Sequence, residues 1–168
     1  MNREALVPGV TEATLIRLMD EYGGMLMSMC SLMLKDRAQA EDVVQETFLK
    51  VWKQSGWPPQ NEKAWLIRVA MNLCHDYHRS RWFRHTDRFS PLEELPLAAP
   101  EAPQGEIIQL VKQLPMKERE VILLFFWLNM NADEIAHMTG VSRSAVYRRL
   151  EKAKKHLKLE LEGGRDPL

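Results

Sequence analysis

The sequence has few of the features that mark secreted, membrane-bound or disulfide-stabilised proteins. It contains only two cysteines, and both lie within apolar helical patterns, which indicates reduced core residues rather than a disulfide. Its longest wholly apolar run, residues 121–128, is far shorter than the roughly 20 residues that cross a bilayer. The polar, acidic N-terminal segment also lacks a signal-peptide pattern. We therefore expect a cytoplasmic protein without stable membrane insertion.

No group of residues predicts catalysis or metal binding. Glu41, Asp42 and Glu46 are neighbouring acids, but no histidine, nucleophile or glycine-rich phosphate loop accompanies them. Cys74 and His78 stand one helical turn apart, yet no second cluster of cysteine or histidine supplies further ligands. The sequence therefore predicts a protein that is not an enzyme and has no metal or cofactor. A helical metal or redox enzyme is the least favoured functional class.

A net charge is also absent, because 23 basic residues balance 23 acidic ones. The charges are nevertheless segregated along the chain. Residues 61–90 carry six basic and three acidic groups, and residues 143–168 carry eight basic and four acidic groups. A protein that binds nucleic acid concentrates positive charge where it meets phosphate. The two basic blocks therefore predict two DNA-contacting surfaces.

The C-terminal basic block lies within the pattern of a helix-turn-helix. Asn131 and Glu134 have the spacing of a capping box, and Gly140 can adopt the left-handed conformation that ends a helix. Residues 143–158 contain seven basic residues and one acid, which is typical of a recognition helix in the major groove. A solvated helix face is the alternative for the charges alone. Ser142 caps this second helix, whose apolar stripe is Val146, Leu150, Ala153 and Leu157.

Three longer helices are predicted in the N-terminal half. The first spans residues 11–34 and is weakened or kinked by two adjacent glycines. After a break over residues 36–39, the second spans residues 40–53. A glycine- and proline-containing loop around Trp57 then leads to the third helix, residues 62–83.

The second predicted helix should have two different faces. Its inward side is expected to hold Val43, Val44, Thr47, Phe48, Val51 and Trp52. Its outer side keeps two acids, an amide and a leucine at i, i+3, i+4 and i+7, namely Asp42, Gln45, Glu46 and Leu49. Such a stripe suits a basic partner that has an apolar patch.

The third predicted helix combines an apolar side with a polar, mostly basic one. Its inward residues are expected to be Trp65, Leu66, Val69, Leu73 and Tyr77. Another face holds Arg68, Asn72, His75 and Arg79, followed by basic and aromatic residues over 81–84. Cations, an amide and aromatic rings suit single-stranded DNA, because its phosphates are charged and its bases are unstacked. A core helix with a solvated face is an equally good interpretation of this segment alone.

The expected architecture is all-α, because no segment alternates with period two. Residues 86–104 contain four prolines and have no helical period, which predicts a flexible Pro-rich linker. This linker would join two small helical domains, residues 1–85 and residues 105–168. In the second, helices over 106–114 and 116–128 precede the helix-turn-helix, a winged-helix-like arrangement.

With these elements in this order, the chain resembles the extracytoplasmic function (ECF, group 4) sigma factors, the small two-domain sigma subunits of bacterial RNA polymerase. Residues 40–49, AEDVVQETFL, resemble the family's polymerase-binding helix. Residues 64–73, AWLIRVAMNL, resemble its helix facing the melted minus-ten element, although Met71 replaces a frequently basic residue. Residues 114–157 resemble its second domain, which binds the minus-thirty-five element as duplex.

The resemblance implies a transcription initiation factor whose partners are core RNA polymerase, promoter DNA and an anti-sigma factor. Its core-polymerase-binding residues would be Asp42, Gln45, Glu46 and Leu49. Its minus-ten residues would be Trp57, Arg68, Asn72, His75 and Arg79. Its minus-thirty-five residues would be Arg143, Ser144, Tyr147, Arg148 and Lys152. The alternative is a stand-alone helix-turn-helix regulator, which would bind duplex as a dimer without polymerase.

Overall fold

The structure, a computed structural model, describes residues 9–85 and 104–163, with side chains described for residues 9–80 and 105–158. Its elements are seven α-helices and one π-helical segment, and the described residues contain no β-strand. The predicted all-α class is confirmed. The described residues of the helix-turn-helix domain accordingly include no β-hairpin wing. The linker predicted over 86–104 lies outside the described residues, except for Gln104, which begins a helix.

The chain divides into two compact units, Met1–Leu92 and Glu93–Leu168. The first is a bundle of three helices, each of which packs on the other two. They are α1 (Glu12–Leu34), α2 (Arg37–Lys53) and α3 (Glu62–His85).

The boundaries of these helices follow from polar side chains at their N-termini. The caps are Thr11, Asp36 and Asn61, whose side-chain oxygens accept the backbone N–H three residues on at distances of 2.9–3.2 Å. Asp36 is the N-cap and α2 begins at Arg37, so the prediction that residues 37–39 belong to a break is wrong. Helix α1 continues through both of its glycines, and the weakening or kink expected there stays a prediction.

One stripe from each helix forms the core of the first unit. Both cysteines, Cys30 and Cys74, are fully buried and free, as predicted. The largest fully buried side chains beside them are Leu18, Leu26, Met29, Met33, Leu34, Val51, Leu66, Ile67 and Met71. The transfer of these side chains from water is the main stabilising contribution to the bundle.

Polar contacts fix the relative register of α1 and α3. The Arg17 guanidinium donates two hydrogen bonds to the Glu62 carboxylate, at 3.0 and 2.9 Å. Further along, His78 Nε2 lies 3.0 Å from the Met33 carbonyl oxygen. Both contacts join residues 45 positions apart, so the two helices run parallel.

The second unit contains α4 (Gln104–Gln113), α5 (Met116–Ile122), a π-helical segment (Leu123–Trp127), α6 (Ala132–Thr139) and α7 (Arg143–Gly163). The helix predicted over residues 116–128 therefore ends in a π-helical turn. Helix α7 packs on α4, α5 and α6. The π-helical segment turns Phe126 and Trp127 to the surface, where they are 58% and 50% exposed.

The predicted helix-turn-helix is present in α6 and α7. Asn131 and Glu134 form the complete capping box at the start of α6. Gly140 ends that helix with φ of 70°, in the left-handed region, and its N–H donates to the Ala136 carbonyl at 3.0 Å. The Ser142 hydroxyl then accepts the Ala145 N–H at 3.1 Å and caps α7.

The capping box predicts a measurable contribution to stability. The Asn131 Oδ1 atom accepts the Glu134 N–H at 2.9 Å, and Asn131→Ala removes this acceptor. The free energy of unfolding should therefore fall by about 1 kcal/mol. Urea titration followed by circular dichroism would measure this change. Asn131→Asp retains an acceptor oxygen and should leave stability nearly unchanged. An equal loss in both variants would contradict the capping role.

Candidate nucleic-acid and protein interfaces

Helix α2 has one buried and one exposed side. Its buried residues are Ala40, Val43, Thr47, Phe48 and Val51. On the opposite side, all members of the predicted acidic stripe are exposed, namely Asp42, Gln45, Glu46 and Leu49. The Leu49 side chain is 49% exposed, which leaves an apolar group in water beside two carboxylates.

Trp52 belongs to this exposed side, and the prediction that it faces inward is wrong. It is 47% exposed, whereas the preceding residue, Val51, is fully buried. Residues three apart on a helix lie side by side, so the Trp52 ring adjoins Leu49. We call the set of Asp42, Gln45, Glu46, Leu49 and Trp52 the docking face. Sequence reasoning missed Trp52 because an apolar residue at the edge of a helical stripe has the same spacing whether or not it is covered.

The buried side of α3 differs from the predicted one. The predicted inward residues Trp65, Val69, Leu73 and Tyr77 are only half-buried. Leu66 is fully buried as predicted, and the other fully buried residues are Ile67, Ala70, Met71 and Cys74. The core side is therefore rotated around the helix axis. It places Met71 in the core, where a basic side chain would be desolvated.

The predicted polar residues of α3 lie on one surface. Arg68, Asn72 and Arg79 are exposed and His75 is half-buried. Arg79 donates a hydrogen bond to the neighbouring Asp76 carboxylate. We call Arg68, Asn72, His75 and Arg79 the α3 polar face. The side chains of residues 81–84 lie outside those that the structure describes.

The loop tryptophan lies at the start of this face. The Trp57 ring packs edge-on against Trp65, with ring centroids 5.2 Å apart and planes at 90°. Trp65, Arg68 and Asn72 are spaced i, i+3 and i+7, so they share one side of α3. Trp57 Nε1 is buried and has no hydrogen-bond acceptor among the described residues. The structure thus places Trp57 against Trp65, on the same side of α3 as Arg68 and Asn72.

Helix α7 also separates its two sides. Val146, Leu150 and Ala153 are buried, as predicted, while Leu157 is half-buried. The opposite side is exposed and mostly basic. We call it the α7 outer face, and its members are Ser144, Arg148, Lys152 and Lys155.

Arg143, the first residue of α7, contacts both the preceding helix and its own helix. Its Nη1 lies 3.5 Å from Asp133 Oδ1 of α6, and its Cζ lies 5.7 Å from the Tyr147 ring centroid. The pKa of the Arg143 guanidinium is raised, first by its hydrogen bond with Tyr147 and next by the negative charge of Asp133. The contact with Asp133 was not predicted, because the two residues belong to different helices.

A second polar contact holds α7 further along its length. His156 Nδ1 lies 2.6 Å from Glu118 Oε2, and Glu118 is buried on α5. Contacts from α6 and α5 therefore restrain α7 at two points. These two contacts help to orient α7 so that its outer face is exposed to solvent.

Neither a candidate metal cluster nor a membrane-spanning helix is found in the described part of the chain. Within it, no group of three or more His, Cys, Asp or Glu side chains is arranged to hold a metal ion. Nor does any helix in this part combine the length and apolar character needed to cross a membrane. The docking face, the α3 polar face and the α7 outer face are therefore the candidate sites.

Comparison with known families assigns both units. Residues 18–84 match the family described as Sigma-70 region 2. Residues 104–157 match the family described as Sigma-70, region 4. The docking face and the α3 polar face lie within the first match, and the helix-turn-helix lies within the second.

Among curated proteins, the chain is similar to the ECF RNA polymerase sigma factor SigL of Mycobacterium tuberculosis. The two are 32% identical over 164 residues, which cover 90% of this chain and 91% of SigL. The RNA polymerase sigma factor CarQ of Myxococcus xanthus is 30% identical over 147 residues, covering 79% of this chain and 83% of CarQ.

Two solved structures share the fold. The sigma factor RpoE, in complex with the anti-sigma factor NepR from Bartonella quintana, has a TM-score of 0.73 at 21% identity and covers 89% of this chain and 98% of that chain. CnrH, in complex with the cytosolic domain of CnrY, has a TM-score of 0.68 at 23% identity and covers 92% of both chains.

Proposed function

Since the chain belongs to the ECF sigma factors of RNA polymerase, we propose that it directs the core enzyme to promoters through three separate surfaces. The docking face binds the core enzyme, the α3 polar face binds the melted minus-ten strand, and the α7 outer face binds the minus-thirty-five element as duplex. The domain that carries the first two surfaces is residues 1–85, and the domain that carries the third is residues 105–168.

The exposed docking face is the observation that carries this proposal. Protein interfaces concentrate their binding energy in a few large side chains surrounded by polar groups. Here Leu49 and Trp52 leave about half of their surface in water, whereas the apolar residues on the other side of α2 are buried in the core. The acids Asp42 and Glu46 beside them match a basic partner. We assign this face to the clamp coiled coil of the largest polymerase subunit.

The α3 polar face has the chemistry required by a separated strand. Arg68 and Arg79 can neutralise phosphates, Asn72 can form hydrogen bonds with a base edge, and the Trp57–Trp65 pair offers flat apolar surface. Base stacking on an aromatic ring contributes roughly 1–3 kcal/mol. Extruding a base from duplex costs roughly a few kcal/mol. Contacts on this face can therefore offset the cost of opening one or two bases.

On this basis the chain contributes to transcription by binding rather than by catalysis of its own. Its reaction partner is the polymerase, which forms the phosphodiester bonds. The chain acts where core polymerase and chromosomal DNA are found, in the cytoplasm. We also propose an anti-sigma factor as a partner, in keeping with the two solved relatives of the same fold, which are bound to NepR and to the cytosolic domain of CnrY.

The α7 outer face should separate sequence-specific contacts from phosphate contacts. Arg148 lies near the N-terminus of α7, where an arginine can pair with guanine O6 and N7, so Arg148→Ala should cost about 1–3 kcal/mol on the preferred element. Lys152→Ala should weaken binding to all duplexes alike and reduce the salt slope by about one. Anisotropy titrations of holoenzyme with preferred and scrambled duplexes would measure both. Equal losses for Arg148→Ala on the two duplexes would contradict its base-contacting role.

The experiment that tests the proposed function starts from purified core RNA polymerase. The chain should co-purify with core and support transcription from duplexes selected out of a random promoter library, whereas core alone should not. A stand-alone regulator would bind duplex as a dimer and would not associate with core. Selective duplex binding without core association would therefore favour the regulator and reject the proposal.

A further inference from the structure

The first residue of the recognition helix is restrained from a different helix. The Arg143 guanidinium lies 3.5 Å from the Asp133 carboxylate of α6 and over the Tyr147 ring at 5.7 Å. Asp133 was not among the residues predicted to matter for DNA binding. It lies in the first turn of α6, where an acid also complements the helix dipole, and its carboxylate faces the first residue of α7.

A carboxylate in this position changes what Arg143 can bind. An unrestrained guanidinium can donate hydrogen bonds to phosphate oxygens at any DNA sequence, because every nucleotide supplies a phosphate. Contacts with Asp133 and Tyr147 bias the guanidinium towards one orientation, which favours a planar pair of acceptors such as guanine O6 and N7. The Asp133 charge also repels a phosphate that approaches Arg143 directly. Both effects weaken sequence-independent contacts with phosphate more than a sequence-specific contact with a base edge.

We propose that Asp133 is a positioning residue for promoter recognition, which holds Arg143 away from phosphate contacts and presents it to a base edge. The inference rests on the proposed function of α7 in binding the minus-thirty-five element. It adds a residue of α6 to the determinants of specificity.

The energetics place the effect in DNA binding rather than in folding. The Arg143 and Asp133 side chains are 61% and 72% exposed, so their ion pair contributes little to the stability of the free protein. When a DNA groove covers the pair and excludes water, the same charges interact more strongly. Asp133→Asn should therefore fold normally and change the binding of DNA.

The test compares holoenzymes assembled with the full chain. Binding is measured with the preferred minus-thirty-five duplex and with a scrambled duplex over a series of salt concentrations, after subtraction of the signal of core alone. Asp133→Asn should bind the scrambled duplex about three- to tenfold more tightly at low salt, with a salt slope steeper by about one phosphate contact. The ratio of the two affinities should fall accordingly. Asp133→Glu keeps the carboxylate and should retain the wild-type ratio.

Two controls make the result specific. Glu106→Gln removes the same charge from an exposed position of α4 and should leave the affinity ratio unchanged. In an Arg143→Ala background, Asp133→Asn should change the affinity ratio much less, because only direct repulsion of phosphate by Asp133 remains. The inference is overturned if Asp133→Asn behaves as wild type on both duplexes, or if its full effect persists without Arg143. In either case Arg148→Ala would still lose affinity for the preferred duplex if the proposed function holds, and would not if that function is wrong.

Discussion

Combining Gln45→Ala with Glu46→Lys is expected to abolish the binding of core RNA polymerase while leaving the protein folded. Both residues lie on the exposed side of α2, opposite the buried Val43 and Val51, so their replacement removes no core contact. Charge reversal places a lysine against a basic partner and leaves that partner's cation unpaired. Such losses cost about 2–5 kcal/mol, which corresponds to at least about thirtyfold weaker binding.

Co-purification and surface plasmon resonance with immobilised core would measure this loss, and circular dichroism would verify the helical content. Asp20→Lys is a matched control, because it makes the same charge reversal at an exposed position of α1 that is outside the docking face. This control should bind core as the wild type does. Normal core binding by the double variant would eliminate the docking role of α2. An equal loss in the control would mean that the change in net charge, and not the docking face, weakens core binding.

The second large effect is expected at promoter opening. Combining Arg68→Ala with Asn72→Ala removes a cation and an amide from the α3 polar face, and both side chains are exposed. Loss of hydrogen bonds to charged groups of a separated strand should cost about 1.5–3 kcal/mol, or about tenfold to 150-fold fewer open complexes. Closed-complex binding should change much less, because it depends on the minus-thirty-five contacts of α7. Permanganate reactivity of thymines near the start site would measure opening.

A promoter with a pre-opened minus-ten segment separates this defect from others. If the variant fails only at opening, most of its transcription should return on such a template, since the unstacking cost is already met. A defect of equal size on both templates would place the lesion in core binding or elongation. Equal permanganate reactivity in variant and wild type would mean that this surface is only a solvated face of α3.

The boundaries within the helix-turn-helix were predictable because they depend on local chemistry. Asn131, Gly140 and Ser142 act on backbone groups within a few residues, and each adopts its predicted capping role. The exposed acidic stripe of α2 was predictable for a related reason. Three polar or charged residues at one helical spacing, Asp42, Gln45 and Glu46, leave only the opposite side of the helix available for the core.

The buried side of α3 could not be chosen from periodicity. Apolar residues occupy two neighbouring stripes of this helix, one through Trp65, Val69 and Leu73 and another through Ile67, Met71 and Cys74. Either could face the core, and only packing against α1 and α2 selects the second. The same holds for Trp52 and Asp133, whose surroundings depend on how other helices end and turn.

The division of α7 into a buried stripe and an exposed basic side bears on how new promoter preferences arise. Exposed substitutions usually change stability by less than about 0.5 kcal/mol. After gene duplication, changes at Ser144 or Arg148 can therefore alter the proposed promoter preference without passing through unfolded intermediates. The docking face lies on another helix of the other unit, so it can stay constant meanwhile. A lineage can thus accumulate many such factors that compete for one polymerase, while each binds a different promoter sequence.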